Sequence, residues 1–287
     1  MELVGIHRNR KFSPNHIGND DAIFSLTAQA LRKQGARIRI CSEDEFLAEE
    51  ATPERGIFTM AREKSAVQKL QILESAGAAV INSAFGIENC FRINMHKALE
   101  SNQVPVPVSW IVPTTDEGKD RLDQWPEAHF WIKRGDFHAI HREDVTFVRS
   151  RLEGQEMLRE YALRDIPEVL VSQHLAGDLV KFYGVRGTDF FFWFYPYEHN
   201  HHKYVEYEAI NGKSHHHSFD EAELQRVATA SAAACQVDIY GGDAIVAKDG
   251  TFHIIDLNDW PSFAPCRQDA ANAIAGLLFQ KFTQTGL

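Results

Sequence analysis

Residues 241–263, GGDAIVAKDGTFHIIDLNDWPSF, decide how this chain is read. Asp249-Gly250 stands between two apolar runs, and that pair suits a two-residue type I′ hairpin turn, which needs positive φ at both central positions. The turn predicts that Lys248 pairs with Thr251, and counting outward sets Asp243 directly opposite Asp256. Strand side chains alternate between faces, so Asn258, two residues beyond Asp256, joins the two carboxylates. Like charges opposed across a ladder repel, and a buried unpaired carboxylate costs more still. A divalent cation removes both penalties. An all-oxygen set without Cys or paired His suits Mg²⁺, which keeps several waters and is completed by phosphate oxygens. By the same count Ile245 and Ile254 share the carboxylates' face, which implies that the face is covered.

At 287 residues and 44% hydrophobic content, the chain can bury a large core in one to three domains. No run approaches the roughly 18 apolar residues of a membrane span. The stretch MELVGIHRNRKF reads as a strand followed by charges, so no membrane association and a cytoplasmic location are expected. A net charge of −10, from 30 basic and 40 acidic residues, argues against nucleic acid as a partner, because that needs a phosphate-neutralising surface. Any anionic ligand must meet a local basic pocket. Cys41, Cys90, Cys235 and Cys266 are scattered without C-x-x-C, so neither a zinc knuckle nor a disulfide framework is expected.

From the N-terminus, strands over 2–7 and 36–41 flank a helix over about 19–34, capped by Asn19 or Asp20 and stopped at Gly35. A helix over 60–76, with Val67, Leu70 and Leu73 at helical spacing, stops at Gly77, and a strand over 78–82 follows. This alternation predicts a small parallel α/β domain over about residues 1–85. No G-x-G-x-x-G opens these helices, so a dinucleotide site is not expected. The basic loop His7–Lys11 follows the first strand, where open parallel sheets bind ligands. It reads as a solvated loop, with an acidic-substrate site as the other reading.

A helix over 88–102 then places Phe91, Met95 and Leu99 on one face, and VPVPVSWIVP leads out of it. In HFWIKRGDFHAIHREDVTFV (129–148), two strands are joined by a polar loop, and Trp131 and Lys133 share a strand face. A Lys projecting from an apolar run needs an anionic partner. After a helix over 151–164 come EVLVSQHLAGDLVKFYGV (168–185), an apolar strand at 190–197 and an alternating strand at 202–210. His199, His201 and His202, and then His215, His216 and His217, lack H-x-x-x-H or H-E-x-x-H spacing. Three adjacent histidines cannot all point one way, so both clusters read as polar loops. Ser218-x-x-Glu221 reads as a capping box for a helix over 220–235, and 268–280 as a last amphipathic helix.

Asp243 on one strand, followed by D-x-N-x-x-P as Asp256, Asn258 and Pro261, resembles the metal-binding end of the ATP-grasp superfamily. The form is similar to that of ribosomal-protein-modifying glutamate ligases and inositol trisphosphate 5/6-kinases. Across residues 88–263 the resemblance supplies the other elements in family order. It implies a phosphate-touching base at the start of a helix, which here is Arg92 where the family usually has Lys, with Lys97 as a second candidate. It implies a strand lysine, Lys133, ahead of a loop that closes over phosphates. In this chain RGDFHAIHRED replaces the usual glycine-rich loop, and Arg134, His138 and His141 stand in for backbone donors. The adenine connector falls at Gln173, His174 and Leu175, with Asp178 where an acid meets the ribose and Lys181 as a phosphate-side lysine.

The fold so implied combines α/β and α+β parts. An N-terminal parallel α/β (pre-ATP-grasp) domain over 1–87 precedes an ATP-grasp N-lobe over 88–178 and a C-lobe with the metal site over 179–287. The resemblance further implies ATP and Mg²⁺, normally two ions, held by Asp243, Asp256 and Asn258, with Lys133 and Lys181 stabilising charge during phosphoryl transfer. It names no catalytic nucleophile. The activity implied is a carboxylate–amine ligase acting through an acyl phosphate on small-molecule carboxylate and amine substrates. The alternatives are a small-molecule kinase of the inositol-phosphate type and a nucleotide-binding protein without catalysis. Scattered cationic residues fit a highly phosphorylated substrate less well than a carboxylate. The oligomeric state is left open.

Overall fold

A computed structural model of the chain describes residues 1–13, 17–196, 210 and 213–286. The apolar segments β1 (Glu2–His7), β2 (Arg37–Ser42), β3 (Gly56–Thr59) and β4 (Ala79–Ile81) pair in parallel in the order β2-β1-β3-β4. Parallel neighbours need crossovers. These include α1 (Ile17–Lys33), α2 (Glu43–Ala48) and α3 (Lys64–Ser75). The four-residue β3 was not among the expected strands, because so short a run shows no alternation. Gly35 and Gly77 end their helices at φ of 91° and 95°, as expected of left-handed caps. Asn19 and Asp20 do not cap α1, which already runs at Ile17. Asn19 instead accepts a hydrogen bond from Arg267, and Asp20 from Arg8.

The helix expected over 88–102 is two helices, α4 (Ala84–Asn89) and α5 (Arg92–Ser101). Phe91 takes extended backbone between them and buries its ring against Phe137 at 4.6 Å. Gly86 allows α4 to approach closely, since a Cβ there would lie 2.2 Å from the Gln236 carbonyl oxygen.

Two antiparallel sheets follow. The first, in the order β5-β8-β6-β7, contains β5 (Ser109–Pro113), β6 (Phe130–Arg134), β7 (Val145–Val148) and β8 (Glu168–Gln173). Helices α6 (Asp116–Asp123) and α7 (Arg151–Leu163) cover it through Leu122, Leu158 and Tyr161. The second, in the order β10-β9-β11-β12, contains β9 (Asp178–Val185), β10 (Phe191–Phe194), β11 (Ile239–Val246) and β12 (Phe252–Asp259). One of its faces packs on α5 and on α8 (Glu221–Ala234), with Met95, Leu99 and Leu224 against Val180, Ile254 and Leu257. Asp220, rather than Ser218, caps α8 and accepts from Glu223 N.

The last helix, α9 (Arg267–Gln284), packs against α1, so both ends of the chain share one core with Tyr183 and Ile239. Asn82 pins the parallel sheet to β11: its Oδ1 accepts from Asp238 N and Ile239 N, and its Nδ2 donates to Ile239 O. The strand expected over 202–210 falls almost wholly outside the described residues, as do His199, His201 and His202. Among the described residues no helix is long and apolar enough to cross a membrane.

The hairpin of β11 and β12 pairs Asp243 with Asp256, but not through the expected turn. Gly250 alone has positive φ, 84°, and Ala247 faces Thr251, so the loop holds Lys248, Asp249 and Gly250. A type I turn followed by a glycine bulge replaces the two-residue type I′ turn. This shifts the near end of the ladder by one residue, so Ile245 faces His253 and Ala244 faces Ile254. The pairing of Asp243 with Asp256 leaves Ile255 as an extra residue, a β-bulge that restores the register. Ile254 is therefore buried in the opposite core with Leu257, rather than on the carboxylates' face.

Candidate nucleotide and metal site

Lys181, Asp243 and Asp256 occupy opposed positions on β9, β11 and β12 and form a row across the sheet. Lys181 is ion-paired with Asp243. Arg92, the first residue of α5, is buried with its Nη1 2.7 Å from Asp256 Oδ1. Asn258 Nδ2 donates to the other oxygen, Oδ2, at 3.0 Å. Lys133 reaches in from β6 of the facing sheet and donates to the Ile255 carbonyl at 3.3 Å. A bulge leaves its extra residue outside the ladder. Here that frees a carbonyl for a cation. The second candidate, Lys97, is exposed on α5.

Burial favours the neutral form of a lysine and neighbouring cations add to that. Burial, then Arg92, lowers the pKa of Lys133 to about 8, against the pull of Asp256 and Asp243. For Asp256 burial pushes upward, but Arg92 and Lys133 outweigh it and hold the carboxyl at about 2. Three basic side chains thus meet two carboxylates and an amide, leaving local positive charge for an anion. The donors are hard oxygens, and Asp256 is ionised at any physiological pH. Asp243, Asp256 and Asn258 therefore fit Mg²⁺.

The connector between the two sheets follows β8. Gln173 N donates to Val108 O at 2.9 Å, and His174 Nδ1 accepts from Trp131 Nε1 at 3.2 Å. The His174 ring lies 5.0 Å from that of Phe147, and Leu175, next to His174 in the chain, is half-buried. Asp178, where a ribose contact was expected, is buried and accepts from His215 N at 2.7 Å and His217 N at 2.8 Å. In the loop after β6, Arg134 is held by Asp136, and His141 is exposed. His138 is buried with its Nε2 3.1 Å from Asp259 Oδ1. Burial and then Arg62 lower its pKa to about 4, so it is neutral at neutral pH.

The basic loop after β1 is solvated at Arg10 and Lys11, as expected, but the Arg8 side chain turns inward. Arg8 is buried and donates to Met60 O, Asp20 and Trp260 O at 3.1, 2.9 and 3.0 Å. Its Nη2 is 3.7 Å from Asp259, and Arg62 Nη2 is 3.3 Å from the same fully buried carboxylate. Arg62 and Asp259 were missed in the sequence. The available signal was position: Arg8 follows a parallel strand, and Asp259 directly follows Asn258.

A parallel α/β sheet followed by two antiparallel sheets, with a basic and carboxylate row between them, is the arrangement of the ATP-grasp fold. No protein-family model matches the chain, and no curated protein matches it. Solved structures do. D-alanyl-alanine synthetase A from Vibrio cholerae is 12% identical with a TM-score of 0.70, covering 99% of this chain and 98% of its own. The RimK domain protein ATP-grasp from Sphaerobacter thermophilus is 14% identical with a TM-score of 0.67, covering 96% and 99%. A D-alanine–D-alanine ligase from Bacillus anthracis complexed with ATP is 15% identical with a TM-score of 0.65, covering 98% and 96%. The chain has the ATP-grasp fold.

Proposed function

We propose that the protein is an ATP-dependent carboxylate–amine ligase acting on small molecules. The observation that carries this reading is the meeting of Arg92, Lys133 and Lys181 with Asp243, Asp256 and Asn258 between the two antiparallel sheets. Structures sharing nearly the whole length of the fold include a D-cycloserine synthetase and a D-Ala:D-Ser ligase, which supports amide-bond formation over phosphorylation of an alcohol. In this reading Gln173, His174 and Leu175 meet the adenine, with Trp131 and Phe147 as neighbouring apolar walls. Asp243, Asp256 and Asn258 hold Mg²⁺, which when bound neutralises charge on the phosphates. Lys133, Lys181 and Arg92 turn from their carboxylate and carbonyl partners to phosphate oxygens and offset charge as the γ-phosphoryl group moves. A substrate carboxylate oxygen attacks the γ-phosphorus and ADP leaves. The amine then displaces phosphate from the acyl phosphate. Asp178 is assigned to anchoring the histidine loop rather than to the ribose.

The test is ADP and free-phosphate release with Mg²⁺-ATP across a panel of amino acids and small carboxylic acids, each with and without an amine. The ligase reading expects both products only when carboxylate and amine are present together. ADP without free phosphate, triggered by a hydroxyl compound alone, would make the protein a kinase. Asp256→Ala is expected to abolish turnover with the circular-dichroism spectrum unchanged; undiminished activity would remove Asp256 from the metal set.

A further inference from the structure

We infer that Asp178, His215 and His217 form a second metal site, distinct from the Mg²⁺ row, for a borderline divalent cation of the Zn²⁺ class. His216 has left-handed backbone, φ 54°, an uncommon conformation for a residue other than glycine. The kink aims the flanking amides at one point. His215 N and His217 N donate to the two oxygens of Asp178, as successive amides do when they cradle an anion. It also sorts the three rings. His216 turns to Tyr195, with ring centroids 4.6 Å apart. His215 and His217 lie parallel, 5.3 Å apart with 5° between their planes. One ligand atom from each of Asp178, His215 and His217 lies within 4.8 Å of the others, and His215 Nδ1 is 3.6 Å from Asp178 Oδ1.

Metal–ligand bonds of about 2.0–2.2 Å set neighbouring ligand atoms about 3.3 Å apart, so closure from separations of up to 4.8 Å needs a shift of up to about 1.5 Å. His215 is exposed and supplies it by rotating its side chain. The carboxylate end is rigid: Asp178 is buried at the head of β9, where it pairs with Val246. Two imidazoles and one carboxylate select Zn²⁺, Co²⁺ or Ni²⁺ over Mg²⁺ or Ca²⁺, with water completing the shell. Asp178 lies three residues before Lys181, about 10 Å along the strand, so the two metal sites share no ligand. An ion here ties the histidine loop to β9 directly after the Gln173–Leu175 connector.

The experiment titrates Co²⁺ into metal-stripped full-length protein, with excess Mg²⁺ filling the oxygen-donor row, and follows visible absorption. One equivalent is expected to bind with the intense bands of a nitrogen-containing site, and Zn²⁺ is expected to displace it. The signal should vanish in His215→Ala/His217→Ala and persist in His199→Ala/His201→Ala/His202→Ala and in Asp256→Asn. His215→Gln, which keeps the backbone donors to Asp178, should weaken binding by more than the roughly tenfold that loss of even a supporting residue costs a metal site. Failure of wild type to take up one equivalent, or an unchanged spectrum in the double variant, would overturn the assignment.

Discussion

Lys133 holds a charge where the folded chain tolerates it poorly. Its pKa, about 8, lies below the ordinary 10.5, so between those values the unfolded chain binds a proton that the folded chain has released. Stability therefore rises with pH across that window, and below about pH 8 the full penalty applies. Without nucleotide, Lys133→Met is expected to be more stable than wild type at pH 7 by roughly 1–3 kcal/mol. The advantage should shrink as pH rises from 8 toward 10.5, and ATP should no longer raise the melting temperature of the variant. A variant no more stable than wild type at pH 7 would show that the neighbouring carboxylates fully compensate the lysine. Lys133 was legible in the sequence because a cation inside an apolar run has few explanations. Arg8 and Arg62 were not: each is followed by polar residues in the chain, and only the fold shows that their side chains are buried.

At the scale of the element, the hairpin shows how pairing can be read correctly through a wrong turn. A one-residue slip moves every side chain to the other face. The three-residue loop introduces one such offset, and the bulge at Ile255 cancels it before Asp256. The paired carboxylates survived the count, but the face of Ile254 did not. Bulges carry no residue signature in an apolar strand, so this one was invisible. The loop after β6 was harder still, since its order comes from Asp144, which accepts from Ile140 N and His141 N and pairs with Arg164. Burial pushes this carboxyl up, but those amides and Arg164 win and its pKa is lowered. A depressed carboxylate contributes stability above its unfolded value, near 4, and loses it as pH falls through the lower folded value. Asp144→Ala is thus expected to cost about 1.5–3 kcal/mol at pH 7 in urea denaturation, with the gap to wild type narrowing below about pH 4. A gap independent of pH would mean that Asp144 acts by shape alone.

Over the whole molecule, the alternation of strands and helices was enough to expect a parallel α/β unit, because each of its elements carries its own periodicity, whereas the two α+β lobes were expected from the resemblance to the ATP-grasp superfamily. What joins them carries none. Asp259 of β12 gathers Arg8 from the end of β1, Arg62 from beyond β3 and His138 from the loop after β6, so one carboxylate ties all three sheets together. Burial alone would raise its pKa, yet Arg62 and His138 hold it well below the ordinary carboxylate range. With His138 neutral, Asp259 is the counter-charge that Arg62 shares with Arg8. Removing one member of a buried charged cluster leaves the others uncompensated and costs about 3–5 kcal/mol, whereas replacing partners together with apolar groups costs far less. Asp259→Ala is expected to lose that amount in urea denaturation, and Arg62→Met added to Asp259→Leu should recover part of the loss found for Asp259→Leu alone. A purely additive pair would mean that the arginine is held by its other contact, the Asp259 carbonyl oxygen at 3.1 Å, and that the joint between the sheets is made by hydrogen bonds rather than by charge.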